Sequence, residues 1–403
     1  MFHTLQNVRR SALMAISVFA LTGSPALAEN YVFSDMGGLS DLSRTYSPRG
    51  INNLGHVVAD SSSGVPGIWN NGSWSDLPAL AGFSSYGASD ISDTGYISGT
   101  GTVDGVDASV AFRWTNSTTQ PTALAGLIPL DVTQTLLPFD AGWTVNNSGA
   151  VAGTVWTPAG GTHAALWEPG STTLTDLGSL GGQFTSVYNH MINDAGTVVG
   201  TGQTENGEAS RGAAWVNGGA PELLALLPSG VNSEANGINN LGQIVGAANN
   251  GAFDDIGDIN VPVLWNSVND QPTLLGTLGG ARGMALSIND NGQIVGFSEG
   301  TDGKAHPTLW ANGQIIDLTQ FIPADLVAAG WHIVDDPISQ SSIASSDWFD
   351  INNQGVLITS LYNGDNTIPF MLTPVPVPAA VYLFGTGIIG LAGLARRKMK
   401  ATD

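Results

Sequence analysis

The chain has 403 residues, only 11% of them charged, and its 33 acids outnumber 12 bases for a formal net charge of −21. It holds 53 Gly, 11 Trp and no Cys. Zero Cys excludes a disulfide framework, thiol catalysis and Cys-ligated zinc, and the Trp and β-branched content argues for a turn-rich β protein over a disordered chain.

Residues 1–28 carry Arg9 and Arg10, the apolar run ALMAISVFAL and then Pro25-Ala26-Leu27-Ala28. A basic start, a short apolar stretch and a small-residue site read as a secretory signal peptide, cut by signal peptidase after Ala28. The apolar stretch is too short to span a bilayer, which needs roughly 20 residues.

A repeat follows. INNLG begins at Ile51, ISDTG at Ile91, VNNSG at Val145, INDAG at Ile192, INNLG at Ile238, INDNG at Ile288 and INNQG at Ile351. The intervals between these seven copies are 40, 54, 47, 46, 50 and 63 residues. Asn caps a turn and Gly supplies a positive φ, which predicts a three-residue hairpin loop with a bulge. A strand-like run such as QIVGF follows each Gly. Next comes an apolar segment ending at Trp69, Trp114, Trp167, Trp215, Trp265 or Trp310, with Pro369 to Leu372 in its place in repeat seven. A D-L-like segment such as TDLGSLGG closes the copy. Each copy therefore reads as four strands. The expected fold is an all-β, seven-bladed β-propeller of four-stranded blades over 29–373. Repeat seven lacks its own fourth strand, and YVFSDMGGLSD (31–41) resembles one, so the N-terminal strand is expected to close the ring and remove the open edges. An open solenoid is the alternative that the period permits.

The tail, 374–403, begins with Pro374, Pro376 and Pro378, which keep the chain extended. Residues 379–395 are apolar, and Arg396, Arg397, Lys398 and Lys400 follow, which predicts a transmembrane helix with a basic cytoplasmic stop. Without the two ends, the chain has 32 acids and 6 bases, a net charge of −26. Such a surface repels nucleic acid and anionic lipid, leaving cations, neutral glycans or basic proteins as partners.

Gly161 to Trp167 (GTHAALW), Thr175 to Gly182 (TDLGSLGG) and Ile288 to Gly296 (INDNGQIVG) resemble the HAF-repeat family of bacterial extracellular proteins. The name-giving His-Ala-Phe stands here as His163-Ala164-Ala165 and His306-Pro307-Thr308. Val375 to Lys398 resembles a PEP-CTERM sorting signal, with Val375, Pro376, Val377 and Pro378 at the sorting motif and Val377 where Glu is usual. That resemblance implies a Gram-negative, exopolysaccharide-making cell. It further implies recognition and cleavage of the tail by an exosortase while it sits in the inner membrane, and delivery to the envelope or beyond.

Gly296-Phe297-Ser298-Glu299-Gly300 fits G-x-S-x-G, but a nucleophile elbow needs a helix next, and TDGKAHPTLW has no helical period. Ser298 therefore reads as a strand residue. His163 and His306 occupy equivalent repeat positions, which points to packing or hydrogen bonding. Asp254, Asp255 and Asp258 form the densest acidic group, in a loop between two strands. They are the one calcium candidate, although Trp265 stands where an EF-hand Glu belongs. No other cofactor is expected. Asp335 and Asp336 lie in a long insertion that could cover one ring face.

These observations support a secreted, non-catalytic binding or matrix protein associated with exopolysaccharide or another envelope component. A purely structural matrix role without a discrete ligand is a variant of that reading. The alternative is a glycan-cleaving propeller enzyme, for which Asp90, His190 and Asp350, all beside innermost turns, would have to converge at the channel.

Overall fold

The turn is the same object in every repeat. In repeat one, Asn52 N–H donates to the His56 carbonyl and Gly55 N–H to the Asn52 carbonyl, both at 3.0 Å. This is a three-residue loop whose Gly55 has φ +79°, and a Cβ there would touch nothing, so conformation alone selects glycine. The equivalent Gly95, Gly149, Gly196, Gly242, Gly292 and Gly355 have φ between 73° and 90°.

The computed structural model describes residues 30–39, 44–130, 137–205, 207, 209–255, 257–333 and 349–375. Among them, strands form five four-stranded sheets and one eight-stranded sheet. The eight-stranded sheet divides at one parallel bridge, Thr162 with Phe184, into the four strands of repeat three and the four of repeat four. Repeat one is representative: Tyr46–Ile51, Val57–Ser61, Gly67–Asn70 and Ser73–Asp76, all antiparallel. Repeat seven supplies Asp350–Ile351, Leu357–Tyr362 and Thr367–Pro374, and Tyr31–Asp35 completes its sheet, with Tyr31 opposite Pro374 and Asp35 opposite Phe370. Successive sheets touch, and the circuit closes where repeat seven packs on repeat one. The chain is thus all-β and propeller-like. No described helix is long and apolar enough to cross a membrane.

The core lies between sheets. Trp114, Trp167, Trp215 and Trp265 are fully buried, and Trp310 nearly so. Each indole N–H donates to a carbonyl of the preceding repeat: Pro78, Ala125, Leu177, Ala225 and Gly276, at 2.8–3.0 Å. The indole is therefore both apolar filler and latch. In repeat one, Trp74 takes this role, donating to the Met36 carbonyl at 2.6 Å and stacking on Tyr46.

Of the expected loop carboxylates only Asp255 lies in the turn between strands, while Asp254 and Asp258 are on the strands themselves. They stand at the tip of a long hairpin, Ile244–Asp254 and Gly257–Trp265, whose ladder continues to Asp254 opposite Gly257. The signal peptide with Ala28, the tail from Pro376 with Val377, Pro378, the helix over 379–395, Arg396, Arg397 and Lys398, and Asp335 and Asp336 all lie outside the described residues.

Candidate functional site

The seven turns meet around the central channel. The third residue of each turn donates its backbone N–H to a side-chain oxygen of the next repeat. The circuit runs Asn53, Asp93, Asn147, Asp194, Asn240, Asp290, Asn353 and back to Asn53, at 2.6–2.9 Å throughout. Asn53, Asn147 and Asn240 add a side-chain amide bond to the following Asp, so each of those carboxylates is gripped twice by one neighbour. The second residue forms an inner circuit. Asn52, Asn146, Asn193, Asn239, Asn289 and Asn352 each donate their amide to the next repeat's backbone carbonyl, at 2.8–3.2 Å. Only Ser92 departs from the pattern. Its short side chain stays within its own turn, and Thr94 reaches the Asn147 carbonyl instead.

Just below the turns, the innermost strands carry a β-bulge two residues before the repeat Ile or Val. The shift falls at Arg49, Ser89, Trp143, Asn236 and Leu286. Bulges re-aim side chains next to functional sites. In repeat four the same position is His190, with φ +59°. Here the inner strand has left its sheet: the ladder ends at Ser186 opposite Thr201, and one bridge, Ile192 with Val198, resumes it. Asn189 donates to the Ser89 carbonyl at 2.5 Å and to the Arg49 carbonyl at 3.4 Å. Segment 187–191 of repeat four therefore crosses the channel to repeats one and two.

His190 lies between two carboxylates. Its Nδ1 is 3.8 Å from Asp90 and its Nε2 is 3.5 Å from Asp350. Asp90 and Asp350 are 6% and 3% exposed. Asp90 accepts from Ile91 N–H, the Thr144 hydroxyl and Val145 N–H. Asp350 accepts from Ile351 N–H, the Ser287 hydroxyl and Ile51 N–H. Burial pushes the Asp90 carboxyl up, against the pull of His190 and with help from Asp350. Burial pulls the His190 imidazole down, but Asp350, Asp90 and the Arg49 carbonyl outweigh it, and the imidazole stands above its ordinary value. The three groups also line a cavity of about 140 Å³ rimmed by the turns.

No family model matches the chain, and no curated protein does. Solved structures of similar shape include YCF48 from Cyanidioschyzon merolae, with TM-score 0.47 and 12% identity over 85% of this chain and 99% of that one. A Mycobacterium tuberculosis puromycin-hydrolyzing peptidase gives 0.48 and 10% over 83% and 52%. The Hadza microbial sialidase Hz136 gives 0.43 and 11% over 80% and 74%. Roles do not transfer at such identities.

The geometry bears on what the channel can do. A carboxylate acting as general acid, base or nucleophile must present an oxygen to substrate. Here every carboxylate oxygen of Asp90 and Asp350 already accepts a bond from the ring. Sequence reasoning picked out Asp90, His190 and Asp350 by their place beside the turns, and the fold brings them together. It missed Asn189, whose partner lies 100 residues away and leaves no local signal.

The other singled-out residues lie elsewhere. Ser298 is fully buried, sharing a hydroxyl bond with Thr308 at 2.9 Å and accepting from Leu278 N–H. Gly296 is a packing requirement, since a Cβ there would lie 2.1 Å from the Met284 carbonyl. His163 bonds Asp176 at 2.9 Å, and His306 bonds Asp317 and Asp302 at 3.0 Å, each tying a third strand to a neighbouring segment. Asp254 is clamped bidentately by Arg282 at 2.5 and 2.6 Å, and Asp258 accepts from Asn232. With Asp254 turned to a guanidinium, the calcium candidate loses a ligand. Among the described residues no group of three or more His, Asp or Glu is placed to hold a metal. Val375, 37% exposed, donates its N–H to the Asn30 carbonyl beside the closing strand.

Proposed function

We propose that the chain is a seven-bladed propeller that serves outside the cell as a non-catalytic surface or matrix protein associated with exopolysaccharide. On this reading it is secreted through its signal peptide and released by an exosortase at the Pro376-Val377-Pro378 tail. The observation that carries the non-catalytic reading is the commitment of the channel. Its two buried carboxylates hold repeats two, three, six, seven and one together, and Asn189 ties repeat four to repeats one and two. The acidic exterior favours neutral glycans, basic proteins or cations as partners. Five of the six bases between the two ends already have structural work. Arg44 pairs with Asp76, Arg49 with Asp60 and Arg282 with Asp254, while Arg113 and Arg211 donate to backbone carbonyls.

The test is to incubate the mature protein with exopolysaccharide from an exosortase-carrying strain and measure bound protein and polymer length together. Saturable binding at constant length is expected. Shortening of the polymer would support the second reading, a glycan-cleaving enzyme, which the convergence of Asp90, His190 and Asp350 keeps in view.

A further inference from the structure

We infer that segment 187–191 is a pH-operated plug: a protonated His190, held between Asp90 and Asp350, locks it across the channel, and loss of that proton releases it.

The first ground is how the segment is held. Between Ser186 and Ile192 no ladder pairs it. Its fastenings are single bonds: Val187 N–H donates to the Thr154 hydroxyl at 3.0 Å and its carbonyl accepts from that hydroxyl at 3.2 Å, Asn189 makes its amide bonds, the His190 ring meets the Arg49 carbonyl, Ile238 N–H reaches the His190 carbonyl at 3.0 Å, Val199 N–H the Met191 carbonyl at 2.8 Å, and Tyr188 N–H the Met191 sulfur. His190 sits at φ +59°, a left-handed conformation that is strained for a non-glycine residue and persists only where the surroundings impose it. The missing ladder and the left-handed residue leave the middle of the segment the part free to open, between ends anchored by buried Val187 and Met191.

The second ground is proton arithmetic at the ring. A neutral imidazole has one N–H and one bare lone pair. With Asp90 facing Nδ1 and Asp350 facing Nε2, a neutral His190 would turn a lone pair toward one carboxylate. The imidazolium presents a proton to both. His190 Nε2 and Asn189 Oδ1 are buried without a partner at hydrogen-bond distance, so the lock is electrostatic and depends on the charge.

The charged surroundings are simple. Repeat two contributes Asp90 and repeat seven Asp350. Repeat one offers the Arg49 carbonyl, while its guanidinium pairs with Asp60 at 2.7 Å. Repeats three, five and six place Thr144, Ile238 and Ser287 there, none of which titrates. Asp93, Asp194 and Asp290 at the mouth are gripped by Asn neighbours. The sign follows. His190 is held above its ordinary 6.5, so its contribution is complete below that value and disappears as pH rises through the folded-state value.

The test uses the mature protein. His190 is followed by the NMR titration of its ring Cε1–H, and amide exchange of 187–191, corrected for intrinsic rate, is measured across the same pH series. His190 is expected to titrate above 6.5, with exchange in 187–191 rising about tenfold or more over that interval while Ile244 to Ala248, paired on both sides within repeat five, stays constant. His190→Asn tolerates the left-handed conformation but cannot carry the charge, and should exchange fast at every pH. Titration at or below 6.5, or exchange in 187–191 indifferent to pH, overturns the proposal. The native protein decides this even if the variant does not fold.

Discussion

The ring of turns and the segment beneath it hold the same channel by opposite means. The turns use neighbours, short neutral or amide–carboxylate bonds and sevenfold repetition, so each bond is one of a set. Segment 187–191 uses partners across the ring, longer charged contacts and a conformation found at no other bulge. Repetition gives a stiff scaffold that tolerates a local defect such as Ser92. A unique, charge-dependent crossing gives a single element that can respond to its surroundings.

Breaking the repetitive half should have the largest effect. Trp265→Ala empties a fully buried site and removes the latch to the Ala225 carbonyl, and should cost about 3–5 kcal/mol in denaturant unfolding. Asn352→Ala strands the N–H groups of Gln354 and Val356 and the Asn52 carbonyl at the closure of the ring, for about 2–4 kcal/mol.

Charge gives the next test. Asp140 is buried and accepts from Trp156 N–H, and burial raises its pKa to about 7. The unfolded chain loses this proton near 3.8, so between about 4 and 7 the native state binds more protons and stability falls as pH rises. Asp140→Asn keeps the acceptor, and should flatten that slope and add roughly 1–3 kcal/mol at pH 8 in melts across pH.

The smallest effects sharpen the comparison. Gly55→Ala meets no atom and should cost only the left-handed conformation, about 1 kcal/mol. Ser92→Asn should restore the missing bond of the inner circuit and stabilise by about 0.5–1.5 kcal/mol, where a loss would mean that Thr94 already fills that role.

The two halves also differ in how legible they are. The turn, the Trp strand and the closing N-terminal strand follow from local chemistry repeated along the chain: a glycine that needs positive φ, an indole that needs a sheet against it, an edge that needs a partner. The second-position Asn was read only as a turn cap. Its amide has a second job that appears only when the neighbouring repeat stands beside it, as Asn193 does with Asn239. Segment 187–191 matches the other inner strands in spacing. Its departure depends on Ser89, Arg49, Asp90 and Asp350, which no local pattern places near it. The hairpin carrying Phe253, 79% exposed, likewise extends by pairing where Gly and Asp had implied a loop.

The central claim is that the channel carboxylates fasten the ring. The thermal midpoint of Asp350→Asn tests it most directly. Either orientation of the new amide sets an N–H against an N–H donor, that of Ile351 or that of Ile51. A drop of several degrees, about 2–3 kcal/mol, is the expected result. An unchanged midpoint would contradict the account, because the ring would then stand without the bonds that Asp350 accepts.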